Sequence, residues 1–362
     1  MTAQYGGDRG APPVRYALRG GALTTLRGQS MGTGWRVSFP SDARALPGLH
    51  HDVQTLLDRY DAQMSHWQPT SALSRYNGAP AGSWHALPDE FWRVMTSALA
   101  IAEATDGAFD PVLGALVDLW GFGADRASPD RPPASSEASA TGRRAFCRPA
   151  ATAIDAARSQ CGWHRLATDP VRQALRQPGG ARLDLSGIAK GDAVDRISAW
   201  LRDAGLADHL VEIGGEWRGS GRRPDGAAWR IALELAPRLI VGLTDRAVAT
   251  SGDTVRFRIL DGQRYAHTID PRTGRPVPTT LCSVSVVHAR CAWADALATA
   301  LTVLGPQDGL AFAQRHDLAA AFVLRAAAAD GPGRVLTSDA FERARLGLAR
   351  RPGDCGADDG QA

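Results

Sequence analysis

The hydrophobic period changes along this chain, and the change limits the folds open to it. Leu49, Val53, Leu56, Leu57, Tyr60 and Met64 recur at helical spacing, and between about Pro88 and Thr105 so do Phe91, Val94, Met95, Ala98, Leu99 and Ala102. Past residue 205 the period drops to two. Leu210–Ile213 is an apolar run, Trp229, Ile231, Leu233 and Leu235 alternate with polar or small partners, and Val255, Phe257 and Ile259 do the same. Asp261-Gly262 then predicts a hairpin turn into Tyr265–Ile269. Val284 and Val286 alternate with Ser283 and Ser285. Helical spacing returns over Trp293–Leu304, closed by Gly305, then over Pro306–His316 and Ser338–Leu346, with a strand near Ala319–Leu324 between the last two. Helices and strands interleave irregularly, which predicts an α+β (mixed α/β) domain and argues against a doubly wound sheet.

Composition marks where this pattern stops. Residues 1–20 are rich in Gly, Pro and Arg and read as a flexible N-terminal segment. Residues 124–149, rich in Pro, Ser, Ala and Arg without periodicity, read as a surface insertion. The Gly- and Asp-rich end, 349–362, reads as a disordered tail. A helix is expected over Ala151–Cys161 and a short strand over Arg182–Leu185, with a helix from Lys190 to Gly205 behind it.

Charge and cysteine usage exclude several function classes. The formal net charge is +3 and the basic residues are scattered, so nothing points to nucleic acid or an anionic membrane. The five cysteines, Cys147, Cys161, Cys282, Cys291 and Cys355, are odd in number and form no C-x-x-C pair. That argues against a disulfide framework or a zinc site. No stretch is long enough to span a membrane. Met1–Ser30 carries neither an apolar signal run nor a lipid-attachment cysteine. A cytoplasmic setting is expected from the chain as written, and a periplasmic one if the true start lies upstream.

Lys190 is the only lysine; the other 40 basic residues are arginine. An ammonium is a compact point charge with three donors, and a guanidinium is a wide planar fork. A position that keeps lysine in this background reads as a site that does not fit the fork. Lys190 lies in Asp184-Leu185-Ser186-Gly187-Ile188-Ala189-Lys190-Gly191, where a small-residue turn precedes a helix. Backbone amides and an ammonium at a helix start form a natural anion site, although the Walker spacing is absent.

Other segments add chemistry, each beside a plainer reading. Asp295 and Thr299, four apart on one helix face, offer hard oxygen ligands of the kind Mg²⁺ takes. Equally, Asp295 would satisfy helix-start amides and Thr299 its own i−4 carbonyl. Trp67 follows a helix and either stacks on a ligand or fills core. Gly107-Ala108-Phe109-Asp110-Pro111 is a tight turn followed by Leu119-Trp120-Gly121-Phe122, again ligand wall or core. His267 and Asp270, brought near Thr250-Ser251-Gly252-Asp253 by the hairpin, are candidate proton acceptors, while Asp270-Pro271-Arg272-Thr273-Gly274 is also plain turn chemistry. Gly214-Gly215 before Glu216 permits close backbone approach to a ligand, or is a simple turn.

The order of these motifs is more telling than any one of them. Met31-Gly32-Thr33 comes first, then Met64-Ser65-His66-Trp67 with Ser71 and Asn77, then the Gly107–Pro111 turn and Trp120-Gly121-Phe122. The Lys190 segment, Gly214-Gly215-Glu216 and Thr250-Ser251-Gly252 follow, then His267-Thr268-Ile269-Asp270-Pro271-Arg272-Thr273-Gly274 and Ala294-Asp295-Ala296-Leu297-Ala298-Thr299. This series, over roughly residues 25–330, resembles the ApbE family of FAD:protein FMN transferases. The resemblance implies an ApbE-like flavin transferase fold over residues 21–348, with mixed or antiparallel sheets and packed helices. It implies an enzyme that binds FAD and Mg²⁺, cleaves the FAD pyrophosphate and passes FMN to a Thr or Ser hydroxyl of an acceptor protein, releasing AMP. Asp295 and Thr299 would then bind the metal by side chains, and Gly187 and Ala298 by backbone carbonyls. Met31, Trp67, Ala108, Phe109, Asp110, Asp184, Lys190 and the backbone near Ile269 would hold FAD. Lys190 would neutralise phosphate charge, and His267 or Asp270 would take the acceptor's proton.

The chain departs from the family pattern at Gly187, where Ala is frequent, in the 124–149 insertion, and in lacking an export signal. Two rival readings share the same site: an FAD pyrophosphatase with water as acceptor, and a non-catalytic FAD-binding protein. A small-residue run ending Gly-Ala-Thr/Ser, the family's acceptor motif, does not occur here, so the chain does not read as an acceptor itself.

Overall fold

The computed structural model describes residues 14–18, 21–43, 47–123, 146–254, 256–326 and 332–346. One nine-stranded sheet organises them: β1 (Val14–Leu18), β2 (Gly21–Ser30), β3 (Thr33–Pro40), β4 (His209–Ile213), β5 (Glu216–Ser220), β6 (Arg246–Gly252), β7 (Leu281–His288), β8 (Ala319–Arg325) and β9 (Pro332–Thr337). The order across the sheet is the order along the chain, and each neighbouring pair is antiparallel. Helices are spliced into this meander. Between β3 and β4 come α1 (Leu49–Met64), α2 (Ala72–Asn77), α3 (Asp89–Ala104), α4 (Gly114–Leu119), α5 (Ala151–Arg158) and α6 (Ala189–Asp203). Helix α7 (Cys291–Arg315) joins β7 to β8, and α8 (Asp339–Ala344) follows β9. The α+β expectation holds, with antiparallel pairing throughout the main sheet.

The apolar stripes read from the sequence are the buried faces. Leu49, Val53, Leu56, Leu57, Tyr60 and Met64 of α1 pack into one large core with Phe91, Val94, Met95 and Ala98 of α3, the inner faces of α6 and α7, and one face of the sheet. The opposite sheet face is covered by two strands, Trp229–Leu233 and Ala236–Leu243, and by Phe341 of α8, with Arg345–Leu346 pairing along the second strand. Strand β7 lies between the two cores. Its serines are therefore buried as well as its valines, and Ser285 shares a 2.8 Å hydroxyl bond with Thr250. Within α7, Gly305 takes φ +79° and Pro306 follows. The two helices expected there are the two halves of this kinked element: glycine tolerates the left-handed turn, and proline needs no amide bond in a first turn.

Several boundaries differ from expectation. Val14–Leu18, in the segment expected to be loose, pairs with β2. Arg182–Leu185 is not a strand. The Leu183 N–H donates to Asn77 Oδ1 (2.7 Å), Asn77 Nδ2 donates to the Leu183 carbonyl (3.0 Å), and the Asp184 N–H donates to the Pro111 carbonyl (2.9 Å). Its backbone is thus satisfied by a side chain and a turn, not by a neighbouring strand. The hairpin forms as read, Phe257–Leu260 against Gln263–Ala266, with Asp261 and Gly262 both at positive φ. Most of the expected insertion, 124–145, and the tail from 347 lie outside the described residues. Phe146 at the insertion's far end packs on Trp120 and Tyr265. Among the described residues no helix is long and apolar enough to cross a membrane.

Candidate active site

Helices α6 and α7 meet at their N-termini with almost no space between backbones. A Cβ added to Gly191 would stand 2.5 Å from the Cys291 carbonyl oxygen. Asp195 of α6 supplies the cap that α7 lacks locally, accepting the Cys291 N–H (2.9 Å) on one oxygen and the Ala292 N–H (3.0 Å) on the other. This crossing brings Lys190, in the first turn of α6, beside Asp295, in the second turn of α7. Asp295 Oδ2 accepts the Gly191 N–H at 3.1 Å.

The Lys190 ammonium stands 2.7 Å from Glu216 Oε1. Glu216 is the first residue of β5, after the Gly214-Gly215 turn, and only 2% exposed. Its other oxygen, Oε2, is buried without a hydrogen-bond partner. Burial opposes the Lys190 charge, but the Glu216 and Asp295 carboxylates outweigh it and hold the ammonium's pKa above that of a free lysine. Burial raises both carboxylates against the pull of that ammonium. Glu216 was legible in the sequence only as the end of a glycine turn. The signal for its role was indirect: a lone lysine set among small and apolar residues is drawn to a counter-charge.

Gly187 precedes this helix start. A Cβ there would be 3.0 Å from Thr299 Oγ1 and 3.5 Å from the Phe109 ring, so the absent side chain leaves a small cradle between backbone, hydroxyl and aromatic edge. The two plainer readings of α7 divide. Asp295 does accept a helix-start amide, the Gly191 N–H of α6, while the Cys291 and Ala292 amides at the start of α7 itself go to Asp195. The hydroxyl that bonds its i−4 carbonyl is Thr302, to Ala298 at 2.8 Å, and Thr299 makes no such bond among the described residues. The Ala298 carbonyl, expected to face a metal, is therefore already engaged inside the helix.

The described residues contain no group of three or more His, Cys, Asp and Glu side chains placed to hold a metal ion. The donors here are of another kind: one buried carboxylate (Asp295), one hydroxyl (Thr299) and a backbone carbonyl beside a Cβ-free cradle (Gly187). Hard oxygens of this type fit Mg²⁺.

The residues expected to hold FAD spread outward from this point. Met31 and Gly32 form the β2–β3 turn at φ +50° and +73°, and the Met31 N–H donates to Asp61 Oδ2 (3.3 Å). The β4–β5 turn lies against it: a Cβ on Gly214 would meet Thr33 Cγ2 at 2.8 Å. Trp67 is 47% exposed and so is not core. His66 beside it helps line a cleft of about 250 Å³ with Asn77, Gly114, Asp118, Arg182 and Asp184. Ala108, Phe109 and Asp110 are buried, and the Asp110 carboxylate is committed to the Val112 (2.8 Å) and Trp163 (3.2 Å) amides. Asp184 accepts the Ser186 N–H (2.8 Å) and braces the turn before Lys190. The Ile269 side chain is buried with Leu116, Trp120 and Ile154.

The two candidate bases differ sharply. Asp270 accepts the Arg272 amide and its Nε (both 2.9 Å) on Oδ1 and its guanidinium (3.0 Å) on Oδ2, so both oxygens are occupied. His267 is half-buried, and its Nδ1 is 2.9 Å from the Arg256 carbonyl. That partner requires Nδ1 to carry the hydrogen and leaves Nε2 as the lone-pair nitrogen. Burial, then the Arg256 charge, lowers the His267 pKa and favours the neutral ring.

Comparison with known proteins places these features in a family. The family model described as "ApbE family" matches residues 31–323. The FAD:protein FMN transferase of Escherichia coli K12 is 33% identical over 309 residues, covering 82% of this chain and 83% of that protein. Its counterpart from Vibrio cholerae is 34% identical over 309 residues, covering 83% and 87%. Among solved structures, the apo flavinyl transferase ApbE of Pseudomonas stutzeri superposes with TM-score 0.78 at 35% identity, covering 89% of this chain and 96% of that one. With the family model spanning most of its length and relatives of this identity matching over most of theirs, the chain belongs to the ApbE family.

Proposed function

We propose that this protein is a Mg²⁺-dependent FAD:protein FMN transferase, which cleaves FAD and attaches FMN through a phosphoester to a Thr or Ser hydroxyl of an acceptor protein, with release of AMP. The observation that carries the reading is the arrangement at the α6–α7 crossing: a half-buried Lys190 ammonium paired with the buried Glu216 carboxylate, next to a separate carboxylate, Asp295, with the Thr299 hydroxyl and Gly187 backbone alongside. Phosphoryl transfer asks for positioning and charge neutralisation more than for covalent help from the protein. Asp295, Thr299 and the Gly187 carbonyl would hold the cation, with Ala298 at most a secondary donor. When bound, Mg²⁺ supplies Lewis-acid neutralisation of phosphate charge.

The chain's own residues do the rest. Lys190 donates to a phosphate oxygen from a fixed place. Trp67, exposed beside the cleft, offers its face to a flat ring. His267 Nε2 takes the acceptor hydroxyl's proton, that oxygen bonds to the FMN phosphorus, and the pyrophosphate oxygen leaves with AMP. Asp270 holds the turn through Arg272 and is not the base.

Intact mass of a candidate acceptor, incubated with this protein, FAD and Mg²⁺ and with a metal-free control, tests the reading. A metal-dependent gain of one FMN with AMP release is expected. AMP and free FMN with no labelling of any acceptor offered would favour the pyrophosphatase, and no FAD turnover a binding protein.

A further inference from the structure

Two carboxylates lie within the field of the Lys190 ammonium, Glu216 and Asp295. Among the described residues it pairs with only one. Nζ is 2.7 Å from Glu216 Oε1, while Asp295 takes the Gly191 N–H instead. A lysine stem is flexible, and a charge in a poorly solvated site is drawn strongly to any counter-charge it can reach. Something must keep this ammonium off Asp295.

Glu216 is built for that. It follows Gly214 and Gly215, at φ +60° and +101°, in a turn pressed against Thr33, so its backbone has little room to move. It is almost fully buried, and Oε2 has no hydrogen-bond partner. Its only side-chain bond to a charged group among the described residues is the one to Lys190.

We propose that Glu216 is a positioning residue that detains the Lys190 ammonium and thereby leaves the Asp295 carboxylate free for a divalent cation. The inference rests on the cation site of the proposed function. Without the Glu216 charge, ammonium and cation compete for one carboxylate.

The test uses the full chain and Mn²⁺ alone, with free Mn²⁺ read by electron paramagnetic resonance. FAD affinity is read separately, without metal, from quenching of tryptophan fluorescence. Glu216→Gln is expected to weaken Mn²⁺ binding by about tenfold or more, with a smaller change in FAD affinity. Glu216→Asp keeps the charge and is expected to stay near wild type. Adding Lys190→Met to Glu216→Gln is expected to recover the Mn²⁺ affinity of Lys190→Met alone, because the competitor is gone. A purely structural role for Glu216 predicts no such recovery, and a double variant as weak as Glu216→Gln would overturn the inference. Wild-type Mn²⁺ affinity in Glu216→Gln would overturn it too, as would equal losses in the Gln and Asp variants. Absence of Mn²⁺ binding by the wild type would remove the cation site itself, and this inference with it.

Discussion

Replacing Gly191 by alanine asks whether the α6–α7 crossing holds the site together. In an open helix the change stabilises by about 1 kcal/mol, because glycine gives up more backbone freedom on folding. Here the new Cβ would stand 2.5 Å from the Cys291 carbonyl oxygen, 2.7 Å from its carbon and 2.8 Å from Ala292 Cα. All three are backbone atoms, and Asp195 pins that backbone through the Cys291 and Ala292 amides. No side chain can rotate away, so one helix must slide along the other. Overpacking of this kind costs about 1–3 kcal/mol, and backbone contact puts it at the upper end. Displacing the Gly191 N–H from Asp295 adds about 1 kcal/mol. Set against the propensity gain, the net loss is about 3 kcal/mol. Urea unfolding, followed by tryptophan fluorescence, should show a lower midpoint at an unchanged slope. A midpoint equal to or above wild type would refute the claim that this glycine is kept for close packing.

Three further outcomes are expected. His209 is fully buried, bonded through Nδ1 to the Leu206 carbonyl and through Nε2 to Ser198, and burial lowers its pKa from 6.5 to about 4. The unfolded chain therefore binds the proton first: stability is full above pH 6.5 and falls as pH drops towards 4. About 2 kcal/mol should be lost between pH 7 and pH 5 from this residue, and His209→Gln should flatten that limb in paired urea titrations. His267→Ala should lower kcat for FMN transfer by about 10²-fold or more with stability little changed, whereas Asp270→Asn should act mainly on the melting temperature; the reverse pattern would exchange their roles. Trp67→Ala should leave the unfolding midpoint near wild type, since the side chain is half exposed, yet weaken FAD binding by about 1–3 kcal/mol if the indole stacks on a ring, as read by isothermal titration.

Much of this protein was legible in its residues taken in order. The stripes of α1 and α3, the Asp261-Gly262 hairpin and the stop at Gly305 follow from local rules, because helix period, turn conformation and proline chemistry act over a few neighbours. The residue types of the site were legible for the same reason: a lone lysine, a carboxylate and hydroxyl one turn apart, and glycines that permit close approach. Only the tertiary structure decided which groups meet. Lys190 finds its counter-charge on β5, Asp295 accepts an amide from α6 instead of from its own helix, and Asp195 caps a helix that begins 96 residues later. Thr299 and Thr302 both sit on α7 and carry the same hydroxyl; packing around Gly187 separates the one left open from the one tied to its own carbonyl. Arg182–Leu185 looked like a strand and is not, since a strand is defined by its neighbour and Asn77 took that place. Periodicity tells which face of an element is buried, but a pair of charges is made by two elements packing together, and that depends on shapes far apart in the chain.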